Sequence, residues 1–341
     1  MQFNRRQFCS LAMAAPALGA QSATSPPLID RGFASVSLLA DGVYVTIANP
    51  EKGLQCLSNG GVIVGRERVL LVEGHFQPAG AALEAEVAGT FSKAPVMAAI
   101  DSHYHLDHTF GNGGYAERHI PIMAHERAPG LMKERYAALQ GVDKAPLLEP
   151  LKRKIAEATD PREKRHLQLD LEADRWMYGA IDSSTLAYPT ELLAPAQLPK
   201  RIDLGGIDAV IESHAGHTPT DLIISIPDRD IVFTGDLLFY REYPVAFDAY
   251  MKAWRKILDI FAGYGRKTRF VPGHGPVCGI DIVRQQMDLM DDLQAHAEKM
   301  KRAGVGLEEA KRRYTAPERF REFAVFSWSW TIGAAIESYY R

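Results

Sequence analysis

The sequence predicts an α/β fold in which short strands, interleaved with helices, deliver metal-ligand side chains to one edge. Three observations predict it. The first is His103-Tyr104-His105-Leu106-Asp107-His108, which packs four candidate ligands into six residues. It follows the apolar run Pro95-Val96-Met97-Ala98-Ala99-Ile100, which reads as a buried strand, and precedes the loop formers Gly111, Asn112, Gly113 and Gly114. The second is that three distant candidates repeat this design. His217 follows Ala209-Val210-Ile211, Asp236 follows Ile231-Val232-Phe233 and His274 follows Arg269-Phe270-Val271, each beside a glycine. The third is the alternation of these β-type runs with stretches of helical periodicity. Ligands leaving several strand ends meet on one edge of a layered fold.

The elements follow in order. Residues 33–73 are short β-rich runs. Gln77 to Phe91 reads as a helix, with Ala81, Leu83, Val87 and Phe91 apolar. The strand before His103 comes next. Residues 131–179 differ in kind: charged, helical and punctuated by proline, they read as a helical insertion before His217, with a lid or a homodimer contact as its roles. The chain returns to β at Ile202 to Ile211. Leu222 to Ile226 and Ile231 to Phe233 flank Pro227-Asp228-Arg229-Asp230, a hairpin signal that links His217 to Asp236. Residues 246–262 form an amphipathic helix carrying Met251, Trp254, Ile257, Leu258 and Phe261. Ile280 to Arg302 is helical, and the aromatic stretch from Phe320 to Tyr340 reads as core or interface. Residues 281–341 thus form a helical C-terminal extension to a domain spanning about 30–280.

Imidazole and carboxylate suit first-row metals, and zinc takes both at about 2 Å. His103, His105, Asp107, His108, His217, Asp236 and His274 are too many for one tetrahedral ion. They suit two ions about 3.5–4 Å apart that share a carboxylate. His119, His125, His166 and His296 read as surface or satisfied core residues. His214 reads as a structural neighbour of His217, and His75 is placed near the metal edge with its role open.

On these motifs the chain resembles the metallo-β-lactamase superfamily from about residue 40 to about residue 280. The resemblance implies a four-layer αββα sandwich of two mixed sheets with helices outside. It implies that His103, His105 and His217 hold one zinc ion and that Asp107, His108 and His274 hold a second. Asp236 would bridge the ions together with a hydroxide. Asp107 would be the catalytic residue, orienting the hydroxide and later delivering a proton to the leaving group. The segments Asn59 to Gly65 and Val69 to His75 resemble the first hairpin of that fold. Many members carry an aspartate-containing turn where this chain has Glu73-Gly74-His75, so the lip of the site is expected to be unusual.

An aspartate at 236 is similar to the glyoxalase II-like thioesterases, lactonases and phosphodiesterases of the superfamily rather than to its true zinc β-lactamases. Exported quinoprotein-relay and thiosulfate-oxidation members are similar too. The implied activity is a di-zinc hydrolase cleaving an ester, thioester or lactone in a small-molecule substrate. Two alternatives stay open: β-lactam hydrolysis, and iron-dependent redox chemistry on the same fold. A non-catalytic metal module is disfavoured, because only catalysis needs an open two-metal centre.

The N-terminus reads as a targeting segment. Asn4-Arg5-Arg6-Gln7-Phe8 is a twin-arginine pattern, followed by the apolar stretch Leu11 to Leu18 and small residues up to Ala23. The apolar run is far shorter than the roughly 20 residues of a membrane span, so residues 1–23 are expected to be a Tat-type signal peptide and the product periplasmic. The chain has 39 basic and 42 acidic residues. Loss of Arg5 and Arg6 with the leader gives 37 against 42, a net charge of −5. No basic block is present, which argues against nucleic acid and anionic membranes as partners, and no stable membrane insertion of the mature chain is expected. Cys56 and Cys278 remain after the leader is lost; they read as small buried apolar residues, with one disulfide as the alternative.

Overall fold

The structure is a computed structural model that describes residues 26–341. The twin-arginine segment lies outside the described residues. Two sheets carry the fold. The first runs β1 (Ile29–Asp30), β2 (Ala34–Ala40), β3 (Val43–Ala48), β4 (Gly60–Val64), β5 (Val69–Val72), β6 (Val96–Ile100), β7 (Ile122–His125) and β8 (Glu191–Leu193), in that spatial order. Pairing is antiparallel from β1 to β5 and parallel from β5 to β8. The second sheet contains β9 (Lys200–Asp203), β10 (Asp208–Ser213), β11 (Leu222–Ile226), β12 (Ile231–Phe239) and β13 (Arg269–His274). Only its β12–β13 pair is parallel. Both sheets are therefore mixed.

Four layers follow from where the apolar side chains go. Alternate residues of a strand face opposite sides, so each sheet has two faces to bury. Val43, Ile63, Leu70 and Ile100 of the first sheet meet Ile211, Ile224 and Phe233 of the second, forming the core between the sheets. The outer face of the first sheet packs Val62, Val69 and Leu71 against Ala81, Leu83 and Val87 of helix α1 (Pro78–Phe91). Across the molecule, the second sheet is covered by α5 (Met251–Ala262), α6 (Ile280–Arg302) and α7 (Ala334–Tyr340) in a shared cluster with Leu238 and Phe270. The result is the αββα sandwich.

The charged stretch expected as an insertion forms α2 (Ala128–Arg135), α3 (Ala145–Glu157) and α4 (Pro161–Ser183). Tyr136 and Ile181 from this region pack on Tyr104 and Phe110, which flank the first histidine cluster. Asp170 of α4 accepts hydrogen bonds from Ser327 Oγ at 2.6 Å and from the Ser329 backbone at 2.9 Å. That buried carboxylate ties the insertion to the C-terminal aromatic segment. Cys56 and Cys278 are both buried and unbonded, one in each outer core. Among the described residues, no helix is long and apolar enough to cross a membrane.

The helix expected from residue 246 begins at Met251. The preceding residues have other duties. Val245 O lies 2.9 Å from His217 Nδ1, and Tyr250 N donates to Gly216 O at 2.8 Å. Those contacts hold the backbone in an irregular path over the histidine cluster and delay the first helical turn.

Candidate metal centre

The seven ligand-type side chains arrive on one edge from five places. His103 and His105 lie in the turn after β6, and Asp107 and His108 fall in the short helix Leu106–Thr109. His217 sits in the loop between β10 and β11, and His274 ends β13. Asp236 departs from the simple strand-end pattern, because it lies inside β12 beyond a register shift at Gly235. Gly235 has φ of +48°, a backbone state that disfavours other residues. The bulge turns Asp236 onto the same edge. Gly273 is needed for another reason: a Cβ there would stand 1.9 Å from Asp236 Oδ1. Asn59 joins the two sheets at this edge, its Nδ2 donating to Pro272 O at 2.9 Å while its backbone N–H donates to Gly273 O at 2.7 Å.

The side chains assemble into two groups, His103/His105/His217 and Asp107/His108/Asp236/His274, with the ligand-type atoms of each group within 4.8 Å of one another. Asp236 faces both. Its Oδ2 is 3.5 Å from His217 Nε2, and its Oδ1 is 3.2 Å from His108 Nε2 and 3.5 Å from His274 Nε2.

Every imidazole has one nitrogen committed outward. His103 Nδ1 meets Ser102 Oγ at 3.0 Å, His217 Nδ1 meets Val245 O at 2.9 Å and His274 Nδ1 meets Leu57 O at 3.0 Å. His108 Nδ1 faces Glu73 Oε2 at 3.1 Å. His105 is turned the other way: its Nε2 is 3.5 Å from Asp248 Oδ2, and its Nδ1 is 3.0 Å from His217 Nε2. An outward partner fixes the ring and leaves the opposite nitrogen as the ligand. His103 Nε2, His108 Nε2 and Asp236 Oδ1 are buried with no properly angled hydrogen-bond partner. Buried polar atoms of this kind are costly unless something else satisfies them. Metal ions fit the donor set.

The charge pattern differs between the groups. Burial, reinforced by neighbouring imidazoles, drives His103 well below its ordinary pKa and takes His217 down to about 3. Those rings are neutral and ready to bind a cation. His108 resists burial because Glu73, Asp236 and Asp107 surround it, and it rises to about 10. A cation entering the second group therefore displaces protons.

His75 and Glu73 give the lip its character. His75 belongs to neither group; it is fully buried, with Nε2 3.1 Å from Glu84 Oε1 and Nδ1 3.1 Å from Ser58 O. Glu73 supplies the carboxylate behind His108. His214, His119, His125, His166 and His296 also stay outside both groups. Sequence reasoning did not reach the roles of Glu73, Asp248 and Asp221. Asp221 accepts from the backbone of Gly216 at 3.0 Å and of Thr218 at 2.9 Å, shaping the loop that presents His217. Its proximity to that loop was a usable local signal. Asp248 gave none, because it meets His105 only through the tertiary fold.

A cavity of about 310 Å³ opens beside the cluster, lined by His105, Asp107, Asp236 and His274 together with aromatic side chains. Comparison with known proteins agrees with this geometry. A model described as the metallo-beta-lactamase superfamily matches residues 53–274. An uncharacterized protein of Mycobacterium tuberculosis (strain ATCC 25618 / H37Rv) is 36% identical over 101 residues, 27% of this chain and 45% of that protein. The match thus spans under half the length of that curated relative. A metallo-beta-lactamase from Pontibacter korlensis superposes with a TM-score of 0.53 at 16% identity, covering 75% of this chain and 98% of that one. The stereoselective inverting sec-alkylsulfatase Pisa1 from Pseudomonas sp. gives 0.58 at 16% identity, covering 90% of this chain and 50% of that one. Such likenesses speak to the fold, whereas the family model covers most of the chain and all seven ligand-type residues. The chain belongs to the metallo-β-lactamase superfamily, a group of metal-dependent hydrolases.

Proposed function

We propose that this protein is an exported two-zinc hydrolase that cleaves an ester, thioester or lactone in a small-molecule substrate. The observation that carries the reading is Asp236, whose two oxygens face the two ligand groups at the floor of one cavity. His103, His105 and His217 would hold one ion, Asp107, His108 and His274 the other, and Asp236 both. When bound, the metal pair acidifies a water and polarises the acyl oxygen. The remaining work falls to the chain. Ser102, Val245, Leu57, Glu73 and Asp248 hold the imidazoles in their ligating orientation. Asp107 spends Oδ2 on His274 Nε2 at 3.1 Å, and it also lines the cavity. Its Oδ1 has no hydrogen-bond partner among the described residues, so it is placed to take a proton from water and return it to the leaving group. Tyr136 and Leu57 line the same cavity and limit the water around the acyl carbon.

The test combines metal analysis with a substrate panel. Purified protein should carry about two zinc equivalents and prefer an ester, thioester or lactone over a phosphodiester, a secondary alkyl sulfate or a cephalosporin. A single tightly bound iron would sink the di-zinc reading. Faster turnover of a cephalosporin than of any ester, thioester or lactone would sink the acyl-ester reading alone.

Export is proposed through the twin-arginine route, supported by Arg5-Arg6 ahead of a short apolar run. Replacing both arginines with lysine should leave precursor in the cytoplasm. Normal periplasmic accumulation of that double variant, measured by fractionation, would rule the route out.

A further inference from the structure

The cavity beside the cluster has an aromatic side. Trp176 comes from α4, Phe247 from the loop before α5, and Phe326 and Trp330 from the C-terminal segment. Their rings touch in series. Trp176 and Phe326 are 5.8 Å apart, Phe326 and Trp330 5.8 Å, Trp330 and Phe247 5.5 Å, and Phe247 and the His105 imidazole 5.1 Å. An aromatic run thus leads from the insertion, through the C-terminal extension, to the metal cluster. The wall already takes one cation, since the Arg135 guanidinium lies 4.8 Å over the Phe247 ring.

Glu242 lines this same cavity. The other ionisable lining groups are accounted for. His105, Asp107, Asp236 and His274 belong to the cluster, Arg135 is paired with Asp248 at 2.8 Å, and Glu51 is exposed to water. Glu242 makes neither a hydrogen bond nor an ion pair through its side chain among the described residues; burial, with Asp236 adding to it and His274 opposing it, pushes its partly buried carboxyl up to about 7. Its place is fixed by the backbone: Glu242 bridges Ala324, and Tyr243 N donates to Ala324 O at 2.9 Å. That pairing sets Glu242 beside the strand-like stretch leading to Phe326. A carboxylate in such surroundings is destabilised unless a positive group meets it. Aromatic faces attract the same kind of group.

We propose that the cavity selects acyl substrates bearing an ammonium group, with Glu242 and the aromatic run taking the cation while the acyl carbon faces Asp107 and Asp236. This rests on the acyl-hydrolase reading. The reaction stays a hydrolysis: water adds to the acyl carbon, the acyl–oxygen or acyl–sulfur bond breaks, and the proton goes to the departing oxygen or sulfur.

Two measurements on the full zinc-loaded protein test it. The first compares acetylthiocholine with its neutral carbon isostere, 3,3-dimethylbutyl thioacetate. The wild type is expected to favour the cationic thioester by about tenfold in kcat/KM, and Glu242→Gln to bring that ratio close to one. Equal cleavage of the two by wild type, or an undiminished ratio in Glu242→Gln, overturns the proposal. The second measurement needs no turnover: calorimetric titration with phenyltrimethylammonium. Glu242→Gln and Trp330→Leu should each weaken binding by about fivefold or more. If neither thioester is cleaved and no ester or lactone of the substrate panel is cleaved either, the acyl-hydrolase reading fails, while calorimetry still decides the cation site. An absence of saturable heat with wild type, or unchanged affinity in both variants, would end it.

Discussion

Replacing Asp236 with asparagine is expected to cut turnover by more than about 100-fold, the upper end of what losing a partner one layer further from a metal costs. Asparagine keeps the size of the side chain but removes the charge and one good oxygen donor. Oδ1 stands 3.2 Å from His108 Nε2, and Oδ2 stands 3.5 Å from His217 Nε2. One side chain therefore serves both ligand groups, and an amide can offer an oxygen to only one of them. The lost occupancy should be greater on the His108 side, where carboxylates balance protonated imidazoles, than on the all-histidine side. The fold should be kept, because β12 keeps its backbone pairing and its packing, but the metal-free variant should melt at a lower temperature than wild type, since His108 and His274 lose a buried carboxylate partner. Metal content and kcat are the readouts. An asparagine variant that keeps two ions and more than about a third of wild-type turnover would refute the bridging role.

The ligand-type residues were legible because each is announced locally, the first four by their close spacing after an apolar run and His217, Asp236 and His274 by an apolar run and an adjacent glycine. What supports them was less so. Glu73 stood out as an unusual residue after the first hairpin, yet its role behind His108 depends on a turn with φ of +81° at Glu73 itself. Asp248 reaches His105 from residues that periodicity assigned to a helix. The helix starts later because Val245 and Tyr250 are tied to the His217 loop. Asp236 read as a strand-end residue and proved to lie inside β12, since a bulge leaves no trace in hydrophobic alternation. The insertion was visible as charged and helical. Its contribution of Trp176 to the cavity was not, because that depends on how α4 meets a C-terminal segment about 150 residues away.

Trp254→Ala is expected to destabilise the fold by about 3–5 kcal/mol, enough to consume much of a typical domain's margin. Trp254 is fully buried beneath the centre, 5.4 Å from the His217 ring and 6.1 Å from Phe239. It anchors α5, whose Met251, Ile257, Leu258 and Phe261 bury the same face. Its indole Nε1 also donates to Leu237 O at 2.9 Å, one residue beyond Asp236. Packing and hydrogen bonding can be separated with Trp254→Phe. Leu237 O keeps a second donor, Gln286 Nε2 at 3.1 Å, so losing the indole N–H leaves no orphaned carbonyl. The phenylalanine variant should therefore lose about 1–2 kcal/mol, and the alanine variant several times that. Denaturant melts of the metal-free protein measure both, free of the contribution of any bound metal. The His217 imidazole itself rests on the same indole ring, with 5.4 Å between the ring centroids. Zinc affinity should accordingly fall in the alanine variant and be nearly kept in the phenylalanine one. Equal losses of stability in the two variants would mean that the indole N–H, rather than the filled space under His217, holds this side of the centre together.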